Sequence, residues 1–259
     1  MYIYMTSPPE NCAPESKIFL PAPFCYKLTG GKLTIDKKKP ELLGGAMIID
    51  AQGLTGVNIS SITDEILAEV FRQKATATVV NSGNANQNAV AALVAEITAK
   101  MPEIRIFLPD TQMNAGLFRN TPSVSLLVQS AISGGSLSDS LERSVRLFGQ
   151  NRIGLETDRI SIDFVVPSAD FAGASVPVAR LPKDRTVHFS EELAVNYLCT
   201  NDDGDRHFIL FDDVASLMYK IRLAESFGVS HIFMFYPHVS DIYEELEAEL
   251  LALYGSAFS

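Results

Sequence analysis

The sequence predicts an α/β fold, specifically a single-domain (β/α)8 TIM-type barrel with an irregular N-terminal arm. Short runs of Val, Ile, Leu and Phe recur along the chain, and most end on a polar residue before a helix-like segment. Near-continuous apolar runs are typical of parallel strands that are buried on both faces. A chain of 259 residues also suits one barrel. An open doubly wound sheet is the second choice, because periodicity does not distinguish the two folds.

The predicted arm covers residues 1–43 and the predicted barrel covers residues 44–259. The arm is rich in proline and contains a Gly30-Gly31 turn, which together disfavour long regular elements. We expect this arm to pack on the barrel. No internal repeat or low-complexity segment divides the rest of the chain.

Eight strands are counted in the barrel region, although the fifth has two candidate positions. They lie at 45–50, 76–81, 104–110, 123–128, either 152–156 or 159–166, 186–189, 207–212 and 231–236. The helices between them are supported by caps and apolar spacing. Thr63 is expected to cap a helix over 63–73, and Val90, Leu93, Val94 and Ile97 form one apolar face of a helix over 86–100.

Further helices follow the later strands. One runs through 137–148 and is ended by Gly149, and one is capped by Ser190. Another is opened by Asp213 and ends at Gly228. The last covers 241–254, where Asp241 and Glu244 have the spacing of a capping box.

Composition argues against several classes of partner. The net charge of −10 and the lack of a large basic patch disfavour nucleic acid. No apolar stretch approaches the roughly 20 residues that span a bilayer, so we expect a cytoplasmic protein with no membrane partner. The three cysteines form no Cys-x-x-Cys pair and the four histidines form no ligand pattern, so no metal or cofactor is expected. The oligomeric state is not predicted.

One segment resembles a known family. Phe211-Asp212-Asp213 through Phe227-Gly228-Val229 is similar to the end of the barrel in family 18 glycoside hydrolases, where an aromatic and acidic strand end precedes a Ser, a Lys and a Gly. The resemblance implies a (β/α)8 barrel with a saccharide-type ligand at its mouth. The family's Asp-x-x-Asp-x-Glu motif has no counterpart after Val128-Gln129-Ser130, and its last-strand Trp is replaced near Phe235. The chain is therefore expected to be a divergent relative without the usual proton donor.

The candidate site residues are those that close the predicted strands, because such residues meet at one mouth of a barrel. Asp50 and Asp110 are the candidate catalytic carboxylates, since each follows a strongly apolar run and lies clear of an evident helix start. His238, just after the last strand, is the histidine best placed for chemistry. The candidate ligand-binding residues are Asn81, Gln129, Asp163, Ser190, Asp212, Phe235 and Tyr236. Each polar one has an alternative role as a helix cap or turn residue.

These observations give two functional hypotheses of different classes. The first is a barrel that binds a small polar or sugar-like ligand at its mouth, with or without hydrolytic chemistry on Asp50 and Asp110. The alternative is a non-enzymatic barrel that serves as an interaction or assembly scaffold, which agrees with the missing acid motif. The substrate, reaction and pathway are not predicted from the sequence.

Overall fold

The structure of the chain is a computed structural model that describes residues 1–36, 42, 44–81, 83, 85–109, 121, 123–131, 135–166, 173–178, 181, 185–202 and 205–255. The strands within these ranges are β1 (Tyr2–Ser7), β2 (Phe19–Pro23), β3 (Tyr26–Thr29), β4 (Lys32–Ile35), β5 (Ala46–Asp50), β6 (Ala77–Asn81), β7 (Arg105–Pro109), β8 (Val124–Gln129), β9 (Ile153–Thr157), β10 (Ser161–Val166), β11 (Ala174–Ser175), β12 (His188–Ser190), β13 (Val195–Asp202), β14 (Asp205–Phe211) and β15 (His231–Phe235). The helices are α1 (Ile59–Gln73), α2 (Gln87–Lys100), α3 (Leu137–Phe148), α4 (Val214–Ser226), α5 (Tyr236–Val239) and α6 (Tyr243–Tyr254).

A large curled sheet organises the fold. Its order is β2-β1-β15-β9-β8-β7-β6-β5-β3-β4, and neighbouring strands are parallel except for the antiparallel pair β3 and β4. The sheet curls so far that β2 and β5, which are not hydrogen-bonded neighbours, approach each other closely. A Cβ atom built on Gly45, just before β5, would lie 1.9 Å from the carbonyl oxygen of Pro21 in β2. The α/β class is confirmed, as a mixed fold built on a curled, mainly parallel sheet.

The core is divided by this sheet, which explains why its strands are apolar on both faces. The inner face carries a cluster formed by Tyr4, Ala22, Ala46, Ile48, Ala77, Val79, Phe107, Leu127 and Phe233. The alternate residues of the same strands face outward and pack against the helices; Ile49 and Val80, for example, share a cluster with Ile62 of α1 and Leu93 of α2. Side chains at the carboxyl ends of the strands, on the inner face, therefore lie next to this buried apolar cluster.

The helix ends follow the capping rules, although not at every expected residue. Asn58 rather than Thr63 caps α1, because the helix begins earlier and Thr63 is buried within it. Asn86 caps α2, Ser136 caps α3, and Asp213 forms a capping box with Ser216 at α4. The capping box expected at Asp241 is wrong: α6 begins at Tyr243 without a side-chain cap.

A second sheet of five antiparallel strands, in the order β11-β10-β14-β13-β12, occupies the chain between β9 and α4. Its own small core contains Leu198, Ile209 and Phe211. Segments 159–166, 186–189 and 207–212, expected among the barrel strands, belong to this sheet instead. The fifth-strand question is settled in favour of Ile153–Thr157, which pairs with β8 and β15. No helix follows Ser190, because residues 191–194 form the turn into β13.

The expectation of an irregular arm over residues 1–43 is also corrected. β1 is buried along almost its whole length and pairs with β15 on one side and β2 on the other. The prolines of this region predict a loop, but Pro21 and Pro23 lie in β2. Proline is tolerated there because β2 is an edge strand of the sheet. The first strands of the curled sheet therefore come from this region.

Candidate functional site

The carboxyl ends of the parallel strands bring several expected site residues together. Asp50 ends β5 directly opposite Asn81 at the end of β6. Gln129 ends β8, and Phe235 ends β15. The residues two positions earlier, Ile48, Val79, Leu127 and Phe233, all belong to the inner cluster. Because alternate residues of a strand share a face, these four end residues lie on the inner side of the sheet at one rim, here called the mouth.

A cavity of about 580 Å³ opens at the β5 and β6 side of the mouth. This volume lies within the usual range for small-molecule sites. Phe24 lines the cavity with its aromatic ring, which packs edge-on against the ring of Phe235 with 5.9 Å between the ring centroids. The charged and amide side chains of the lining are Glu10, Lys27, Asp36, Asp50, Gln52 and Asn81. The cavity thus combines hydrogen-bonding groups of both kinds with an aromatic surface.

Asp50 and Asn81 also have the local role that the alternative interpretation gave them. Oδ1 of Asp50 accepts a hydrogen bond from the backbone N–H of Gln52 at 3.0 Å. Oδ1 of Asn81 accepts one from the N–H of Gly83 at 3.3 Å. Both are turn-forming contacts of the kind that Asp and Asn favour after a strand. These bonds fix the orientation of the two side chains at the cavity.

A carboxyl group that the sequence analysis missed stands on the other side of the mouth. Glu156 in β9 lies opposite Gln129 of β8 and Phe233 of β15. Burial, and secondarily the charge of Asp158, raises the pKa of Glu156 to about 7, against a smaller lowering by a hydrogen bond from Gln129. The signal was available in the sequence, because Glu156 closes one of the two candidate fifth strands. The sequence does not decide between those two strands, so Glu156 is not among the predicted site residues.

Asp158 and His238 complete this side of the mouth. The Nδ1 atom of His238 lies 4.0 Å from Oδ1 of Asp158, and the His238 ring packs edge-on against Phe235 at 4.7 Å. Burial raises the pKa of Asp158, while His238 and Lys220 act to lower it. His238, the histidine expected to be best placed for chemistry, thus lies at the mouth beside Phe235 and Asp158.

Four expected ligand residues lie elsewhere. Asp212 is fully buried against Lys220, and its oxygens accept hydrogen bonds from Lys220 Nζ at 2.6 Å, Ser216 Oγ at 2.8 Å and the N–H of Ile160 at 2.8 Å. Asp163 and Ser190 belong to the second sheet, where Asp163 Oδ2 lies 2.8 Å from Nδ1 of His207 and Ser190 Oγ accepts the N–H of Leu193. Tyr236 turns away into α5, and its ring packs on Tyr243. Asp110 lies outside the described residues.

The family acid motif is absent from the strand that precedes α2 as well. The strands predicted from the sequence start at residue 45, whereas β1, β2 and β3 precede that residue in the structure. β6 ends at Asn81, and the next carboxylate in the sequence is Glu96. The departure from the family therefore does not depend on how the strands are numbered.

Two absences concern the described part of the chain. None of its helices is long and apolar enough to cross a bilayer. Nor do its histidines, cysteines and carboxylates form any group of three or more with the placement that a metal ion requires.

Comparison with known proteins gives a result at the level of fold. No family model matches the chain, and no curated protein matches it in sequence. The structure is similar to the spore cortex-lytic enzyme SleL of Bacillus megaterium, with a TM-score of 0.65 and 10% identity over 90% of this chain and 70% of that one. It is also similar to a chitinase of Chromobacterium violaceum, with a TM-score of 0.61 and 11% identity over 90% and 93% of the two chains.

A third neighbour is YKL-39, solved in the presence of chitooligosaccharides. Its TM-score is 0.63 with 11% identity, over 91% of this chain and 92% of that one. These neighbours confirm the fold-level resemblance to family 18 glycoside hydrolases that the segment from Phe211 to Val229 indicated. The chain therefore shares the fold of these three neighbours at 10–11% sequence identity.

Proposed function

We propose that this chain binds a small saccharide at the mouth of its curled sheet. The observation that carries the proposal is the cavity at the carboxyl ends of β5 and β6, in which Asp50 and Asn81 meet. Ligands of parallel α/β sheets gather at this edge, because the loops there are free to vary while the strands hold their positions.

The chemistry of the lining favours a sugar over an apolar ligand. Asp50 accepts hydrogen bonds from hydroxyl groups, while the amides of Gln52 and Asn81 can both donate and accept them. Phe24 lines the cavity and offers an aromatic surface to the C–H side of a sugar ring, and Phe235 packs edge-on against it. The solved neighbour with chitooligosaccharides provides the probe, an oligosaccharide of N-acetylglucosamine.

We further propose that the curled sheet closes into a ring of eight strand positions. The chain from β2 to β3 would fill one position, since β2 pairs with β1 and β3 pairs with β5. The close approach of Gly45 to Pro21 supports this closure. In a closed ring, the ends of β5, β6, β8, β9 and β15 all border one mouth.

The proposal is tested by isothermal titration calorimetry with chitotetraose. Replacing Asp50 by Ala, or Asn81 by Ala, removes hydrogen bonds to the ligand and should weaken binding about tenfold or more. Asp64→Asn is the control, because Asp64 lies exposed on α1 and is paired with Lys100 away from the mouth. Failure of the wild-type chain to bind chitooligosaccharides, or undiminished binding by both Asp50→Ala and Asn81→Ala, would contradict the proposal. The first result would favour the scaffold alternative.

A further inference from the structure

Two carboxyl groups, those of Glu156 and Asp158, lie at the end of β9 and directly after it. Asp158 is the first residue after β9, and its Oδ1 lies 4.0 Å from Nδ1 of His238 at the mouth. Glu156, inside β9, shares the inner face with its pairing partners Gln129 and Phe233. Gly154, the preceding residue on that face, lies against Phe107 and Leu127 of the inner cluster. Both carboxyl groups are partly exposed, so a ligand in the mouth could reach them.

We propose that Glu156 is a proton donor and Asp158 a proton acceptor for the hydrolysis of a glycosidic bond at the mouth, an activity that rests on the proposed saccharide ligand. Glu156 lies on β9 and Asp158 directly after it, whereas the Asp-x-x-Asp-x-Glu motif of family 18 glycoside hydrolases is missing from this chain. The site would therefore use a different strand from the one that family uses.

Glu156 and Asp158 have different neighbours, which favours different roles for their two carboxyl groups. Gln129 of β8 and Phe233 of β15 flank Glu156, and neither carries a charge. Asp158 instead faces His238 of α5 and Lys220 of α4, with Asp212 behind Lys220 as the opposing charge. The raised pKa of Glu156, about 7, keeps a large fraction of it protonated near neutral pH. Two carboxyls in unlike surroundings are the usual arrangement for acid and base roles.

The backbone at Asp158 is held on two sides, which a positioned base requires. Its N–H donates to Ser130 Oγ at 3.2 Å, and its carbonyl oxygen accepts from Lys220 Nζ at 3.5 Å. Arg159, the next residue, donates to the carbonyl oxygens of Asp212 and His238 at 3.1 Å each. These bonds tie Asp158 to the helix turn that carries His238.

Hydrolysis moves one proton from Glu156 to the leaving oxygen and one from water to Asp158. The Glu156 carboxylic acid transfers its proton to the glycosidic oxygen while the bond between that oxygen and the anomeric carbon breaks. A water molecule forms the new bond to the anomeric carbon and gives its proton to the Asp158 carboxylate. The products are two sugars with free hydroxyl groups, and the proton on Asp158 returns to solvent as Glu156 takes one up.

The experiment compares cleavage and binding in the full chain. Chitotetraose is incubated with wild type, Glu156→Gln, Asp158→Asn and the control Glu142→Gln, an exposed residue on α3, and the products are measured by mass spectrometry. We expect wild-type cleavage that falls as pH rises through about 7, where Glu156 loses its proton. Glu156→Gln and Asp158→Asn should each lose about 100-fold or more in kcat while still binding chitotetraose, with the control unchanged.

The outcomes separate this proposal from the one on which it rests. Wild-type binding without cleavage overturns the proton-transfer pair and leaves saccharide binding intact. Cleavage that survives unchanged in Glu156→Gln overturns the role of Glu156 in the same way. Absence of both binding and cleavage overturns the two proposals together.

Discussion

Replacing Lys220 by Met should destabilise the chain strongly, because Lys220 neutralises a carboxylate that has no contact with water. The side chains of Lys220 and Asp212 are both 0% exposed, and Nζ lies 2.6 Å from Oδ2. Removing one partner of a buried pair leaves the other charge uncompensated, at a cost of about 3–5 kcal/mol. Two neutral donors, Ser216 Oγ and the N–H of Ile160, stay with Asp212. The expected loss is therefore at the lower end, about 3 kcal/mol.

The assay is urea unfolding followed by circular dichroism, since the chain contains no tryptophan. Lys100→Met is the matched control: Lys100 pairs with Asp64 at 2.8 Å and Glu96 at 3.0 Å but is partly exposed, so its loss should cost below about 1 kcal/mol. Adding Asp212→Asn to Lys220→Met should recover part of the stability, because no buried charge then remains. A loss in Lys220→Met no larger than in the control would refute the reasoning.

Three further predictions concern pH and packing. Burial lowers the pKa of His231 to about 3, so the unfolded chain takes up a proton that the folded chain does not. Because of this group, the free energy of unfolding of wild type should fall by up to about 1.4 kcal/mol per pH unit below pH 6.5. Urea unfolding at pH 7 and pH 5 should show a smaller change for His231→Phe, and an equal change would contradict this. Glu156 has the opposite sign, because its raised pKa makes the folded state less stable as pH rises from 4.5 through about 7. Glu156→Gln should therefore unfold at higher urea concentration at pH 8, by about 1 kcal/mol, and a destabilised variant would argue against a buried acid. Gly45→Ala forces a Cβ atom against the Pro21 backbone and should cost about 3 kcal/mol, whereas Gly255→Ala, with its nearest neighbour at 3.9 Å, should stay within about 0.5 kcal/mol; equal effects would count against the close approach of β2 and β5.

Apolar patterning predicted the strands of the curled sheet where the chain is buried on both faces. β5, β6, β7, β8 and β15 all lie where such runs occur. The pattern does not indicate which sheet a strand joins, so the predicted strand at 207–212 is assigned to the barrel, whereas the structure places Asp205–Phe211 in the second sheet. It also could not reveal β1 and β2, since the prolines nearby suggest a loop and only pairing with β15 orders this region.

The positions of the candidate site residues were predictable in part for the same reason. Asp50, Asn81, Gln129 and Phe235 close strands of the curled sheet, so the rule that strand ends meet placed them correctly at the mouth. Asp212 follows a strand of the second sheet, and its burial depends on Lys220, which is eight residues away in sequence. The raised pKa of Glu156 arises from burial and from the charge of Asp158, and the burial depends on neighbouring strands that no local pattern contains.

The most direct test of the account is a map of where a chitooligosaccharide contacts the chain. Backbone amide signals recorded by NMR during titration with chitotetraose should shift at the ends of the strands, around Asn81, Gln129, Glu156 and Phe235. Signals at the opposite edge of the sheet, around Arg105 and His231, should stay in place. Shifts confined to that opposite edge or to the second sheet, or no shifts at all, would contradict a ligand site at the mouth.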